Sequence, residues 1–317
     1  MAEQSNHHLL DEQSTRSLDP AAAAALAGRT PDDLRRVCVS IAAEAAALVR
    51  SARHSAGVRV GVSGTKSSAV DPVTEIDRAS ETLIRDRIAA HSAAAGGQDV
   101  ILGEEEGGRI VEGRVTWVVD PVDGTVNLIY GIPASAVSIA ATVDGVPVAG
   151  AVADIARRRV FSAAVGEDAR IAWEADLSAE QTLPRWSPEN TDGDLSTALV
   201  ATGFSYQADN RAAQVGLLAD LMPRIRDIRR VGSAALDLCA VAAGRVDGYY
   251  EHGLGPWDHA AGGLIAARSG AVVYLPRLTA GYADGLSVLA AAPSIVTELA
   301  GEIVGTRIPD PDRGPLT

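Results

Sequence analysis

The sequence predicts an α+β chain, with helices packed on an antiparallel sheet in its first half and an alternating α/β unit in its second. Three observations carry this. Two helical patterns open the ordered region, one over about 31–53 and one from near 73. Three strand-like runs then follow in succession, SAVSIAATV, VPVAGAVADI and RRVFSAAV, and Asp144-Gly145 between the first two is a strong hairpin turn. Past about residue 172, short strand runs alternate with helical ones instead. The 317 residues can bury a large core, in one big domain or two medium ones. Hydrophobic residues are 47% but aromatics only 4%, so that core is mostly Ala, Val, Leu and Ile.

The opening stretch, polar and acidic, reads as a disordered tail over residues 1–30, with His7 and His8 a solvated pair rather than a metal site. AAAAALAG is too short, and wrongly flanked, for a secretory signal. Thr30 as a cap, Pro31 at the first helical position and acids in the first turn then mark a helix start. The second helix sets Ile76, Leu83, Ile84 and Ile88 on one face, with Asp77 in its first turn. DVILGEEEGG and RVTWVVDP are strands that end in acids. The polar stretch 173–195, broken by two prolines, reads as the join between a first half, 31–172, and a second, 173–310. In the latter, strands near STALVATG, IRDIRRV, VDGYYEHG, AVVYLP and LSVLAAAP alternate with helices over 208–222, at GSAALDLCAVAAG, at PWDHAAGGLIAARSG and near 293–303.

Charge narrows the function. With 28 basic against 41 acidic residues the net is -13, which argues against nucleic acid or an anionic membrane as partner. No run approaches the ~20 apolar residues of a membrane-spanning helix. Cys38 and Cys239 sit in apolar helical patterns as small core residues, consistent with a reducing, cytoplasmic setting. The arginine runs at 157–159 and 224–230 read as hairpin and strand-edge charges.

The chemistry gathers at WVVDPVDGT, 117–125. Pro121 cannot extend a ladder, so the chain turns just after Asp120. Asp123 would then project from a short helix start, where Gly124 and Thr125 offer backbone N–H groups to a phosphate. Glu104 and Glu105 end another strand, and Asp258 begins a helix. Two carboxylates ~4 Å apart repel by about 4 kcal/mol at an effective dielectric near 20, so such a group needs cations or protons between its members. The donors are all oxygen, which favours Mg²⁺ or Mn²⁺ over zinc. Divalent ions beside a phosphate cradle describe a phosphatase.

TKSSAVDPVTEID (65–77), GEE (103–105), WVVDPVDGT (117–125), VGSAALDLC (231–239) and YYEHGLGPWDHAAG (249–262) together resemble the inositol monophosphatase family, in the Mg²⁺-dependent, lithium-sensitive phosphatase superfamily. The resemblance spans most of 31–303. It implies a layered α-β-α-β-α sandwich, a homodimer, and two or three Mg²⁺ ions. One metal would take Glu104, Asp120 and the Val122 carbonyl; a second would take Asp120, Asp123 and Asp258; Glu104 would also face a third. A water oriented through Thr125 and Asp77 would attack the phosphorus. The Gly124 and Thr125 amides would grip the phosphate, and Glu251, Asp123 and the Gly232-Ser233-Ala234 segment would meet polyol hydroxyls. Lys66 would add weaker contacts from a loop.

The implied activity is hydrolysis of inositol 1-phosphate to myo-inositol and phosphate. Fructose 1,6-bisphosphate, histidinol phosphate and 3'-phosphoadenosine 5'-phosphate are rival substrates, and binding to transcription machinery is a rival role. Val126 and Leu128 stand where many members carry threonine and phenylalanine, which implies altered packing rather than lost catalysis. The 173–195 stretch lacks the Asn-Gly hairpin of many relatives. Glu106 adds a third acid to the usual pair and reads as a solvated loop charge. Trp257 reads as a packing anchor for its helix start rather than a platform for substrate.

Overall fold

Thr30 closes a capping box at the start of the helix Pro31–Ser55, its hydroxyl accepting from the Asp33 N–H at 3.1 Å while Asp33 accepts from the Thr30 N–H at 2.9 Å. Thr74 and Asp77 repeat the device for the helix Glu75–Ala94. These are features of a computed structural model that describes residues 7–10, 13–57, 59–65, 72–187 and 193–303. The two helices cover one face of an eight-stranded sheet, burying Leu34, Cys38, Ile41, Val49, Ile84 and Ile88.

That sheet runs, edge to edge, Asp176–Thr182, Arg170–Trp173, Arg159–Ala164, Val146–Asp154, Ala136–Val143, Val115–Asp123, Val100–Gly103 and Gly107–Gly108. The expected hairpin is there: Asp144 and Gly145 have φ of 51° and 79°, the left-handed pair that a two-residue turn requires. Val100–Gly103 pairs parallel with Val115–Asp123, Gly103 opposite Val119, so Glu104 and Asp120 emerge at the same sheet end.

The helices Ala234–Ala242 and Pro256–Arg268 lie between this sheet and a second one. Their small residues allow close contact: a Cβ on Gly150 would stand 3.1 Å from the Ala261 Cα, and one on Gly262 would stand 2.8 Å from the Leu238 Cβ. The alanine-rich composition thus becomes a thin, dense middle layer. The second sheet runs His7–Leu10, Val272–Pro276, Ser287–Ala291, Gly248–His252, Leu199–Thr202 and Asp227–Arg229. Leu199–Thr202 pairs parallel with both its neighbours. The helices Ala208–Leu221 and Val296–Ile303 close its outer face over Val200, Tyr250 and Leu289. The order of layers is α-β-α-β-α, as expected. Cys38 and Cys239 are buried free thiols, and burial pushes Cys38 up to about 12.

Two expectations need correction. Within the presumed tail, His7–Leu10 is a strand paired with Val272–Pro276, and Pro20–Ala25 is a helix capped by Asp19, which accepts from the Ala22 N–H at 2.7 Å. Leu10 and Leu26 are buried, and Thr15 accepts from the Arg268 guanidinium at 3.3 Å. Burial and pairing order this segment where its polar composition suggested none. In the presumed join, Asp176–Thr182 is an edge strand of the first sheet. Its side chains are mostly exposed, and it is held by Glu180, which receives the buried Arg35 at 2.5 Å and Arg170 at 2.8 Å.

Candidate active site

The strand Val115–Asp123 pairs Asp120 with Ser138 and Asp123 with Ala136, an irregular register containing one extra residue. Pro121 sits in that bulge. Both acids therefore reach the sheet's end, where the helix Pro256–Arg268 brings Asp258 in its first turn. Carboxylate oxygens of Asp120, Asp123 and Asp258 lie within 4.8 Å of one another. Their relative exposures are only 1%, 8% and 7%, so water screens the repulsion poorly. Burial pushes the Asp258 carboxyl well above the usual range, and the charges of Glu104 and Asp123 push it further.

Each acid is held. Asp120 accepts from the Val122 N–H at 2.9 Å, and Asp258 accepts from the Gly255 N–H at 2.7 Å. Asp123 accepts from the Ser233 hydroxyl at 2.6 Å and the Ala235 N–H at 2.8 Å, which ties it to the start of the helix Ala234–Ala242. Ser138 donates to the Trp257 carbonyl at 3.1 Å and so fixes the helix start that carries Asp258.

Gly124 has φ of 89°, and a Cβ there would meet the Ala134 and Gly232 carbonyls at 2.9 and 3.0 Å. Glycine is required by both counts. The Thr125 hydroxyl lies 2.8 Å from Asp77 and 3.0 Å from the Val122 carbonyl. It has one proton to give, and the carboxylate is the stronger acceptor. The Val122 carbonyl thereby keeps lone pairs for a cation. Asp77 is fully buried and also accepts from the Thr74 N–H at 3.0 Å and the Thr74 hydroxyl.

Ten of the expected residues line one cleft: Glu104, Asp120, Val122, Asp123, Gly124, Thr125, Gly232, Ala234, Glu251 and Asp258. Asp77 and Ser233 stand behind it, each one hydrogen bond away, at 2.8 Å from Thr125 and 2.6 Å from Asp123. Glu105 and Glu106 are outside the lining; their N–H groups donate to the buried Glu81 at 2.8 and 3.2 Å. Lys66 falls outside the described residues. Leu128 is buried in the core beneath the first sheet, a packing role as expected. Trp257 packs against the core and its indole N–H donates to Tyr282 at 3.1 Å, also as expected.

Several contributors were not anticipated. Glu81 shapes the Glu104 turn, and a Cβ on Gly103 would strike it at 2.2 Å. Asn127 donates to the Ala134, Val231 and Gly232 carbonyls at 2.7, 3.0 and 3.3 Å, bolting the Gly232 loop to the Gly124 turn. Tyr249 donates to Glu251 at 2.9 Å, while burial pushes that carboxyl up to about 7. Tyr282 and Arg230 line the cleft as well. Glu81 and Asn127 sit within the helical patterns read from the sequence and carry no local mark; only their long-range partners reveal them.

The model of the inositol monophosphatase family matches residues 30–307. This chain belongs to that family. It is 51% identical over 280 residues to inositol-1-monophosphatase SuhB of Mycobacterium tuberculosis, covering 85% of this chain and 92% of the relative. A solved structure of Mycobacterium tuberculosis SuhB superposes with a TM-score of 0.70 at 48% identity, covering 86% of this chain and 96% of that one. A more distant relative, Nus factor SuhB of Pasteurella multocida, is 38% identical over 266 residues, 80% of this chain and 93% of that protein. Membership of the inositol monophosphatase family supports a phosphatase activity, and the three-acid cluster fits the family's general need for Mg²⁺. No helix among the described residues is long and apolar enough to cross a membrane.

The residues suit such an ion on their own terms. The donors are buried oxygens gathered against their mutual repulsion, with no cysteine or histidine in the cluster. Burial first, and then the charges of Glu104 and Asp123, drive the Asp258 carboxyl upward, and a bound cation would offset both.

Proposed function

We propose that this chain is a Mg²⁺-dependent phosphomonoesterase whose substrate is inositol 1-phosphate, cleaved to myo-inositol and phosphate. The single observation that carries the reading is the juxtaposition of the Asp120–Asp123–Asp258 trio with the Thr125–Asp77 pair at one cleft. Glu104, Asp120, the Val122 carbonyl, Asp123 and Asp258 would hold two ions, with a third, weaker one at Glu104 and Mn²⁺ as a substitute. Bound ions supply Lewis-acid activation of water and neutralise charge on the ester oxygens.

The chain's own groups do the rest. Thr125, its proton held by Asp77, presents a lone pair to the attacking water and orients it at phosphorus. The Gly124 and Thr125 N–H groups hold the phosphoryl oxygens. Glu251, Asp123 and the Gly232–Ala234 segment bind the alcohol's hydroxyls and orient the leaving oxygen. The 51% identity to a protein named inositol-1-monophosphatase supports inositol 1-phosphate over the rival esters. Phosphate release from that ester, absolutely dependent on added Mg²⁺, is the expected result. No release at saturating Mg²⁺ rejects the reading.

The proposal includes a cytoplasmic homodimer, to be checked by its mass in solution. A second reading is favoured by the relative named Nus factor SuhB: a binding role toward transcription machinery. Asp120→Asn separates the two, because it should abolish hydrolysis while leaving such binding intact.

A further inference from the structure

Tyr282 lines the cleft with Glu104, Asp120 and Asp258, yet its hydroxyl takes no part in holding any of these acids. It stands on the short turn Tyr282–Asp284, between the strands Val272–Pro276 and Ser287–Ala291. That turn is fixed at both ends. Asp284 accepts from the Gly281 N–H at 2.9 Å, and the Gly253 N–H donates to the Leu286 carbonyl at 3.0 Å. The Tyr282 carbonyl also presses on Gly253, 3.3 Å from where a Cβ would stand.

Trp257 sets the direction of the side chain. The two rings meet edge to face, centroids 6.0 Å apart at 63°, and the indole N–H donates to the phenolic oxygen at 3.1 Å. That bond takes one lone pair of the phenol and leaves its own proton unspent. No described residue accepts that proton. The residue is 40% exposed, but its hydroxyl end is buried, where the charges of Asp258, Glu104 and Asp120 act on it from beyond hydrogen-bonding reach. A phenol keeps its proton at neutral pH, so a donor stands ready at the carboxylate end of the cleft.

We propose that the Tyr282 hydroxyl donates to a phosphoryl oxygen of the bound ester and of the released phosphate, adding a side-chain donor to the Gly124 and Thr125 amides. This rests on the phosphomonoesterase reading above. The acids nearest the phenol are those proposed to hold the ions, so a phosphate drawn to those ions enters the gap between. Its oxygens accept and do not donate, which suits an unspent O–H. A water on an ion has given up a lone pair and is chiefly a donor. An O–H bonded to a charged oxygen is among the stronger hydrogen bonds.

The test titrates inorganic phosphate by calorimetry into wild type, Tyr282→Phe and Tyr282→Leu at saturating Mg²⁺, with Mg²⁺ titrated alone in parallel. Kinetics on inositol 1-phosphate run alongside. Tyr282→Phe keeps the ring against Trp257; it should weaken phosphate about tenfold, the cost of one charge-assisted hydrogen bond. The ester's kcat/KM should fall by a similar factor, chiefly through KM, with Mg²⁺ affinity and melting temperature little changed. Phosphate affinity of Tyr282→Phe within twofold of wild type overturns the assignment, and damage confined to Tyr282→Leu shows that the ring only packs. An equal loss of Mg²⁺ affinity in Tyr282→Phe also overturns it, by placing the phenol on the ions' waters. All three leave the phosphatase standing. Wild type that binds phosphate yet hydrolyses no ester removes the phosphatase reading instead.

Discussion

Asp123 is 8% exposed and takes hydrogen bonds from both Ser233 and Ala235; Arg230, three residues before Ser233, is exposed and has none within the described protein. The carboxylate floor of the cleft and the wall that carries Arg230 thus differ in how tightly their charges are tied down. On the floor, Asp120, Asp123 and Asp258 each accept a backbone N–H, and Asp77 is clasped by Thr74. The geometry of bond breaking needs atoms fixed to fractions of an ångström. On the function proposed, the wall would only have to tell one alcohol from another, which a looser fit can do.

The contrast can be broken at either end. The largest effect should come from Asp120→Asn, which removes a charge shared by both proposed ion sites. Turnover should fall by roughly 10³-fold or more, about 4 kcal/mol of barrier, with circular dichroism unchanged. Residual activity within tenfold of wild type would show that the floor does not carry the chemistry. Next, Thr125→Val keeps shape but loses the hydroxyl; kcat should drop on the order of 10²-fold with KM little moved, and Thr125→Ser should recover most of it.

A smaller effect concerns the metal-free protein. Glu251 is pushed by burial from an ordinary 4.5 to about 7, and Asp258 is raised as well. The folded state then holds protons that the unfolded chain has released. The stabilisation is complete below about 4.5 and drains away as pH climbs through 7. With chelator present, melting temperature should fall from pH 5 to pH 8, and Mg²⁺ should raise it more at pH 8. At a hundredfold excess over Kd an ion contributes about 2.7 kcal/mol, several degrees of Tm. A chelated melt that stays flat with pH would contradict this. Least of all, Glu106→Ala should alter neither rate nor stability beyond about 0.5 kcal/mol, since Glu106 is exposed and its ion pair among the described residues is with Arg85 across 3.2 Å.

Much of this was legible in the chain. Thr30-Pro31 announced one helix, Asp144-Gly145 a hairpin, and the strand-D-P-x-D-G-T string the cleft floor, because those signals are local: a cap, a forced φ, a turn after proline. What was missed acts at a distance. Asp176–Thr182 carries too little apolar surface to read as a strand, and it becomes one because Glu180 meets Arg35, 145 residues away. Arg230 looked like its neighbours, and only the fold separates it from them. The His7–Leu10 strand was misread for the same reason, although Asp19-Pro20 was a usable sign that structure begins before Thr30.

That early strand has a practical bearing. It occupies the outer rim of Val272–Pro276, in register from His7 opposite Pro276 to Leu10 opposite Val273. A shortened version starting at the family-matched boundary would move the sheet's edge from this four-residue strand to the longer Val272–Pro276, with its N–H and C=O groups unpaired on that side. Bare rims recruit other rims. Purification tags and trimmed expression boundaries placed at this end should therefore govern whether preparations stay dispersed or clump.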